Sequence, residues 1–95
     1  MKFVIASDLH GAAPTVRTLG QRIDEETPDR VLLLGDLLYH GPRNDLPEGY
    51  APKEVLAILN DMAERIIAVR GNCDAEVDQM VLDFPCLSDF SQVWA

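Results

Sequence analysis

The apolar and polar positions along the chain repeat one unit almost three times. Residues 2–7 hold the nearly continuous apolar run Phe3-Val4-Ile5-Ala6, the pattern of a short strand buried on both faces. Pro14 suits the first turn of a helix, after which Val16, Leu19 and Ile23 share one face at helical spacing. Glu25-Glu26-Thr27-Pro28-Asp29 is polar and ends that helix, and Arg30-Val31-Leu32-Leu33-Leu34 predicts the second strand. A long loop over residues 40–52, HGPRNDLPEGYAP, is punctuated by Pro42, Pro47 and Gly49. Pro52 opens another helix, with Val55, Leu56, Leu59 and Met62 on its buried face, and Arg65-Ile66-Ile67-Ala68-Val69 predicts the third strand.

Strand, helix, strand, helix, strand with helical crossovers means an α/β fold with a parallel βαβαβ sheet and right-handed connections. Beyond Asp74 the pattern weakens. Val77, Met80, Val81 and Phe84 are expected to line a short helix that Pro85 terminates, and Gln92-Val93-Trp94-Ala95 reads as the opening of a fourth strand.

The length of 95 residues allows one small domain, and an apolar fraction of 47% is ordinary for a globular chain. No apolar run approaches the roughly 20 residues of a membrane span, and nothing at the N-terminus reads as a signal peptide. A cytoplasmic location and no membrane partner are the expectations. A net charge of −8 argues against general nucleic-acid binding, which needs a basic surface. It leaves room for a phosphate substrate if bound cations reverse the local sign. Cys73 and Cys86 are expected to be free thiols, and two His with two Cys cannot supply a closed zinc-finger site alongside any other role.

Each predicted strand runs into a polar cluster: Asp8 and His10 after the first, Gly35-Asp36 after the second, and GNCD, residues 71–74, after the third. In a parallel sheet these ends share one edge, where open α/β sheets bind ligands. An i, i+2 pair in extended backbone points both side chains the same way, so Asp8 and His10 can grip one ion. Asp36 has two carboxylate oxygens with which to bridge two ions, and Asn72 offers a neutral amide oxygen. This mixed oxygen and imidazole set suits Mn, Fe or Zn better than Ca. Any one of these residues alone is an ordinary turn former; three such clusters, each directly after a strand, point to metal.

In order and spacing, DLH, GD and GNCD resemble the first three signature blocks of the calcineurin-like metallophosphoesterases. The stretches GDLLYHGPRNDLPEGYAP and VRGNCDAEVDQM are similar to the YfcE-type bacterial phosphodiesterases within that superfamily. The resemblance runs from the start of the chain to about Phe84. It implies two divalent metal ions, commonly Mn2+ with Zn2+, Fe or Ni2+ as other occupants. Asp8 and His10 would hold the first, Asp36 would bridge, and Asn72 would hold the second. It also implies two-metal hydrolysis of a small phosphodiester. His40 and Arg43, in the loop after Asp36, are the candidate catalytic residues for proton donation and phosphoryl binding; a role as ordinary surface-loop residues accounts for them as well. Cys73 stands where many of these enzymes carry a histidine, and Asp74 is expected to orient its neighbours.

The same resemblance implies a second half, with further histidine ligands and a second sheet, in a four-layer α/β/β/α sandwich. Residues 1–95 therefore read as a single incomplete metallophosphoesterase domain. The inner faces of its strands are expected to lie open, and a missing C-terminal half or self-association would cover them. The alternative function is a truncated, non-catalytic fragment that associates with a partner or with itself. A haloacid dehalogenase phosphatase needs a second Asp where His10 stands, and a receiver domain needs a lysine opposite its acids, for which Lys2 and Lys53 are poorly placed.

Overall fold

A computed structural model describes residues 1–41 and 45–93. The elements follow the order read from the pattern: β1 Phe3–Ala6, α1 Ala13–Glu26, β2 Arg30–Leu33, α2 Pro52–Asp61, a 3-10 turn Ala63–Arg65, β3 Ile66–Ala68 and α3 Glu76–Val81. The three strands form one parallel sheet in the order β1-β2-β3, with Val4 beside Val31 and Val31 beside Ile66.

Pro14 and Pro52 stand in the first turns of α1 and α2, where a missing N–H costs nothing. α1 ends at Thr27, whose left-handed φ of 44° turns the chain toward β2 and whose N–H donates to the Ile23 carbonyl. The two longer helices pack against each other and are tied at the surface by an Arg17–Glu54 ion pair. Val16 and Ile23 of α1, Val31 and Leu33 of β2, and Val55 and Leu59 of α2 are buried in one apolar cluster.

That cluster occupies one side of the sheet. On β2 the alternation is clear: Val31 and Leu33 face the helices, while Leu34, just past the strand, is half exposed. On β1, Val4 and Ala6 pack on the core, and Ile5 is 62% exposed. The second face of the sheet is thus apolar and open at Ile5 and Leu34.

Two expectations fail after β3. The apolar positions of α3 do not form a buried face: Val77, Met80 and Val81 are exposed, and Asp78 is the buried residue of that helix. The helix also stops at Val81, so Leu82 and Phe84 reach the core from extended chain rather than from a helical face. Asp78 sits in the first turn, where its carboxylate accepts the Ala75 N–H, and this cap sets the rotation of a helix too short to be ruled by its apolar stripe. Gln92 and Val93 form no strand, and the remainder of the predicted fourth strand, Trp94 and Ala95, lies outside the described residues.

Candidate metal centre

The C-terminal ends of β1, β2 and β3 meet on one edge, and main-chain hydrogen bonds carry their register beyond the strands. Asp8 N–H donates to the Gly35 carbonyl at 3.0 Å and His10 N–H to the Asp36 carbonyl at 2.8 Å. The loop after β1 is thereby laid along the loop after β2.

Asp8, His10 and Asp36 all have left-handed backbone, with φ of 58°, 48° and 57°. Non-glycine residues rarely adopt this conformation, and it costs on the order of 1 kcal/mol or more at each position. It corrects the expectation that Asp8 and His10 converge by strand alternation. They converge because the chain turns sharply at both, which brings His10 Nε2 to 3.2 Å from Asp8 Oδ1 and 3.9 Å from Asp36 Oδ2.

The other imidazole nitrogen is committed. His10 Nδ1 lies 2.8 Å from the Tyr39 carbonyl, to which it donates, so Nε2 keeps its lone pair for the centre. That bond, followed by the nearby Asp8 and Asp36 carboxylates, raises the His10 pKa above 6.5. Asp8 is held below its ordinary value first by the Ser7 hydroxyl, which donates to Oδ2 at 2.6 Å. The Asp8 carboxylate and the Nε2 lone pair of a neutral His10 would together grip one cation.

Asp36 is buried, and its Oδ1 accepts the Cys73 N–H at 2.7 Å, joining the β2 end to the β3 end. The Asn72 amide lies against the same carboxylate, where its NH2 donates to Oδ1 at 3.1 Å and to Oδ2 at 2.7 Å. Turned by half a rotation, the same side chain would offer its oxygen instead. Two carboxylates with oxygens 3.2 and 3.9 Å from the imidazole Nε2 form with it a mixed oxygen and nitrogen donor set, which fits a divalent ion.

Asp74 supports this assembly from beneath. Its Oδ2 accepts the N–H groups of Asp36 at 2.8 Å and Gly71 at 2.7 Å, and its Oδ1 accepts that of Leu37 at 3.0 Å. Three main-chain donors from two loops, those of Asp36 and Leu37 buried and that of Gly71 half-buried, close on one carboxylate. The loops approach so closely that a Cβ on Gly35, at φ +100°, would strike the Gly71 main chain.

All four predicted ligands, Asp8, His10, Asp36 and Asn72, thus gather at one place. The remaining assignments differ. His40 packs into a loop cluster, its ring edge-on to Tyr39 at 4.8 Å and to Tyr50 at 5.3 Å between centroids. Arg43 lies outside the described residues. Cys73 goes beyond its expected role: potential ligand atoms of His10, Asp36 and Cys73 lie within 4.8 Å of one another. Burial, and then the negative charges of Asp36 and Asp74, raise the Cys73 pKa and keep a neutral thiol there. The Tyr39 carbonyl is the group that sequence reasoning missed, because a main-chain acceptor leaves no signature in residue type.

Comparison with known proteins agrees with this geometry. The family model for calcineurin-like phosphoesterases matches residues 1–95. Phosphodiesterase YfcE of Escherichia coli K12 is 50% identical over 93 residues, which are 98% of this chain and 50% of that protein. The same figures hold for Phosphodiesterase YfcE of Escherichia coli O157:H7. A solved structure of Yfce, a phosphoesterase from E. coli, aligns with a TM-score of 0.97 at 48% identity, covering 100% of this chain and 52% of that one. The chain spans about half the length of the curated relatives it matches. Among the described residues, no helix is long and apolar enough to cross a membrane.

Proposed function

The chain belongs to the calcineurin-like phosphoesterases, and from that premise we propose that it carries the metal-gripping part of a phosphodiesterase centre that acts on small phosphodiesters. The observation that carries this reading is the convergence of Asp8, His10, Asp36 and Asn72 from three strand ends, with His10 Nε2 at 3.2 Å from Asp8 Oδ1 and 3.9 Å from Asp36 Oδ2. Asp8 and His10 would hold one divalent ion, Asp36 would bridge, and Asn72 would hold a second, with Mn2+ as the assigned metal. Such ions supply positive charge against the phosphoryl oxygens and acidify water.

The chain's own residues prepare that chemistry. The Tyr39 carbonyl fixes the imidazole tautomer, the Ser7 hydroxyl keeps Asp8 ionised, and Asp74 locks the Asp36 main chain. The neutral Cys73 thiol adds no negative charge where an anionic phosphate must approach. His40 and Arg43 are assigned to phosphoryl binding and proton donation from the loop that follows Asp36. The open sheet face is assigned to a further layer, either more chain or a second copy.

The test is an EPR titration of the purified protein with Mn2+, followed by an assay on an aryl phosphodiester. Two bound ions with exchange coupling, and metal-dependent hydrolysis, are expected. A second reading, a chain that folds and associates without chemistry, is favoured by the apolar sheet face left open at Ile5 and Leu34. One weakly bound ion and no hydrolysis would establish that reading instead.

A further inference from the structure

A groove of about 370 Å³ opens beside the metal centre. Leu38, Tyr39, Tyr50, Pro52 and Val77 form most of its wall. It joins the centre at two points. Cys73 lines the groove and also belongs to the cluster with His10 and Asp36. Tyr39 contributes to the wall, while its carbonyl holds His10 Nδ1. A phosphoryl group at the ligands would therefore have this apolar surface within reach of one of its substituents.

We propose that the groove binds one ester substituent of the substrate, and that this substituent is neutral and apolar, an aryl or comparably sized hydrocarbon group. The proposal rests on the reading of the strand-end cluster as a metal–phosphate site. The volume lies at the small end of ligand sites, enough for a single ring with its linker. Two tyrosines and a proline offer flat surfaces for such a ring. Charge selects in the same direction. No lysine or arginine is among the described residues that line the groove, and the Asp78 carboxylate forms part of its wall. A second phosphate or a carboxylate on the substituent would find repulsion and no partner. Val77, 64% accessible, presents an apolar side chain to the groove.

Two phosphinates of equal charge test this without hydrolysis: dimethylphosphinate and benzyl(methyl)phosphinate, titrated calorimetrically into the Mn2+-loaded protein. The benzyl compound should bind about tenfold tighter or more, the gain expected from burying most of one ring. Val77→Asn should shrink that preference at least about threefold, and Val77→Leu should keep it. Equal affinity of the two compounds, or a preference indifferent to Val77→Asn, would overturn the groove assignment alone. Binding of neither compound by the metal-loaded protein would overturn the metal–phosphate reading, and the groove assignment with it.

Discussion

The main chain of Asp36 hangs from the side chain of Asp74. The Asp36 N–H donates to Asp74 Oδ2 at 2.8 Å across 38 residues of sequence, and both residues are buried. Asp36 thus owes its place to the side chain of a residue that reaches it from the end of another strand. Asp74→Ala would leave the N–H groups of Asp36, Leu37 and Gly71 without their acceptor. Each orphaned buried donor costs about 1–3 kcal/mol, so urea unfolding should show a loss of roughly 3 kcal/mol or more. Mn2+ affinity should fall about 10- to 100-fold as the support is lost.

The close approach beneath that bond makes Gly35 intolerant of any side chain. At φ +100°, with the Gly71 main chain and Asp74 Oδ2 in the way, Gly35→Ala combines backbone strain with overlap. A drop of about 3 kcal/mol is expected, against a gain of about 0.5–1 kcal/mol for Gly20→Ala, which lies inside α1 and whose added methyl meets nothing. Thermal melts of the two variants side by side would check this.

With His10 as the proposed ligand, proton and metal would compete for its Nε2. The folded-state pKa of this ring lies above 6.5, chiefly because of the Tyr39 carbonyl. In the metal-free protein its contribution to stability is therefore complete below pH 6.5 and lost as pH rises through the folded value. Metal binding runs the opposite way. Mn2+ affinity should climb about tenfold per pH unit up to the folded pKa and then level off, as followed by EPR from pH 5 to 9. In His10→Ala that climb should disappear.

The buried carboxyl of Asp78 has a different pH signature. Burial raises its pKa above 3.8, so the folded chain holds this proton more tightly than the unfolded chain. Its stabilising contribution is complete below pH 3.8 and is lost as the group ionises through its folded pKa. Asp78→Asn keeps an oxygen for the Ala75 N–H and removes the charge. It should raise the melting temperature at pH 7, and the gain should vanish below pH 3.8.

Neither thiol is poised to react. Cys73 is shielded by burial and by neighbouring acids, and burial raises Cys86 to about 11. At pH 7.5, iodoacetamide should label Cys73 more slowly than it labels free glutathione, and Cys86 only after denaturation. Mass spectrometry over time would separate the two.

Much of this was legible in the residues. The three strands and the two longer helices follow from apolar runs and from Pro14 and Pro52, because those segments bury whole faces and burial leaves a periodic trace. The convergence of Asp8, His10, Asp36 and Asn72 follows from their positions directly after strands. α3 was not legible: in six residues the Asp78 cap outweighs an apolar stripe, and Val77 and Met80 turn outward. The left-handed turns at Asp8 and His10 were hidden too, since residue types that normally avoid such φ values do not announce them. The clamp on the imidazole is a main-chain carbonyl, which any residue at position 39 would carry.

Val4 stands opposite Val31 and Ala6 opposite Leu33, and beyond the strands the chains stay bonded, Asp8 to Gly35 and then, one residue out of step, His10 to Asp36. A slip of one residue between these strands would turn Asp36 to the opposite side of the sheet and scatter the chelate. An ion held at this edge is consequently a proofreader of alignment: only chains that have matched their strands correctly can retain it. Divalent metal supplied early in refolding should therefore act as a template, drawing the population toward the one pairing that brings distant acids and an imidazole within reach of a single charge.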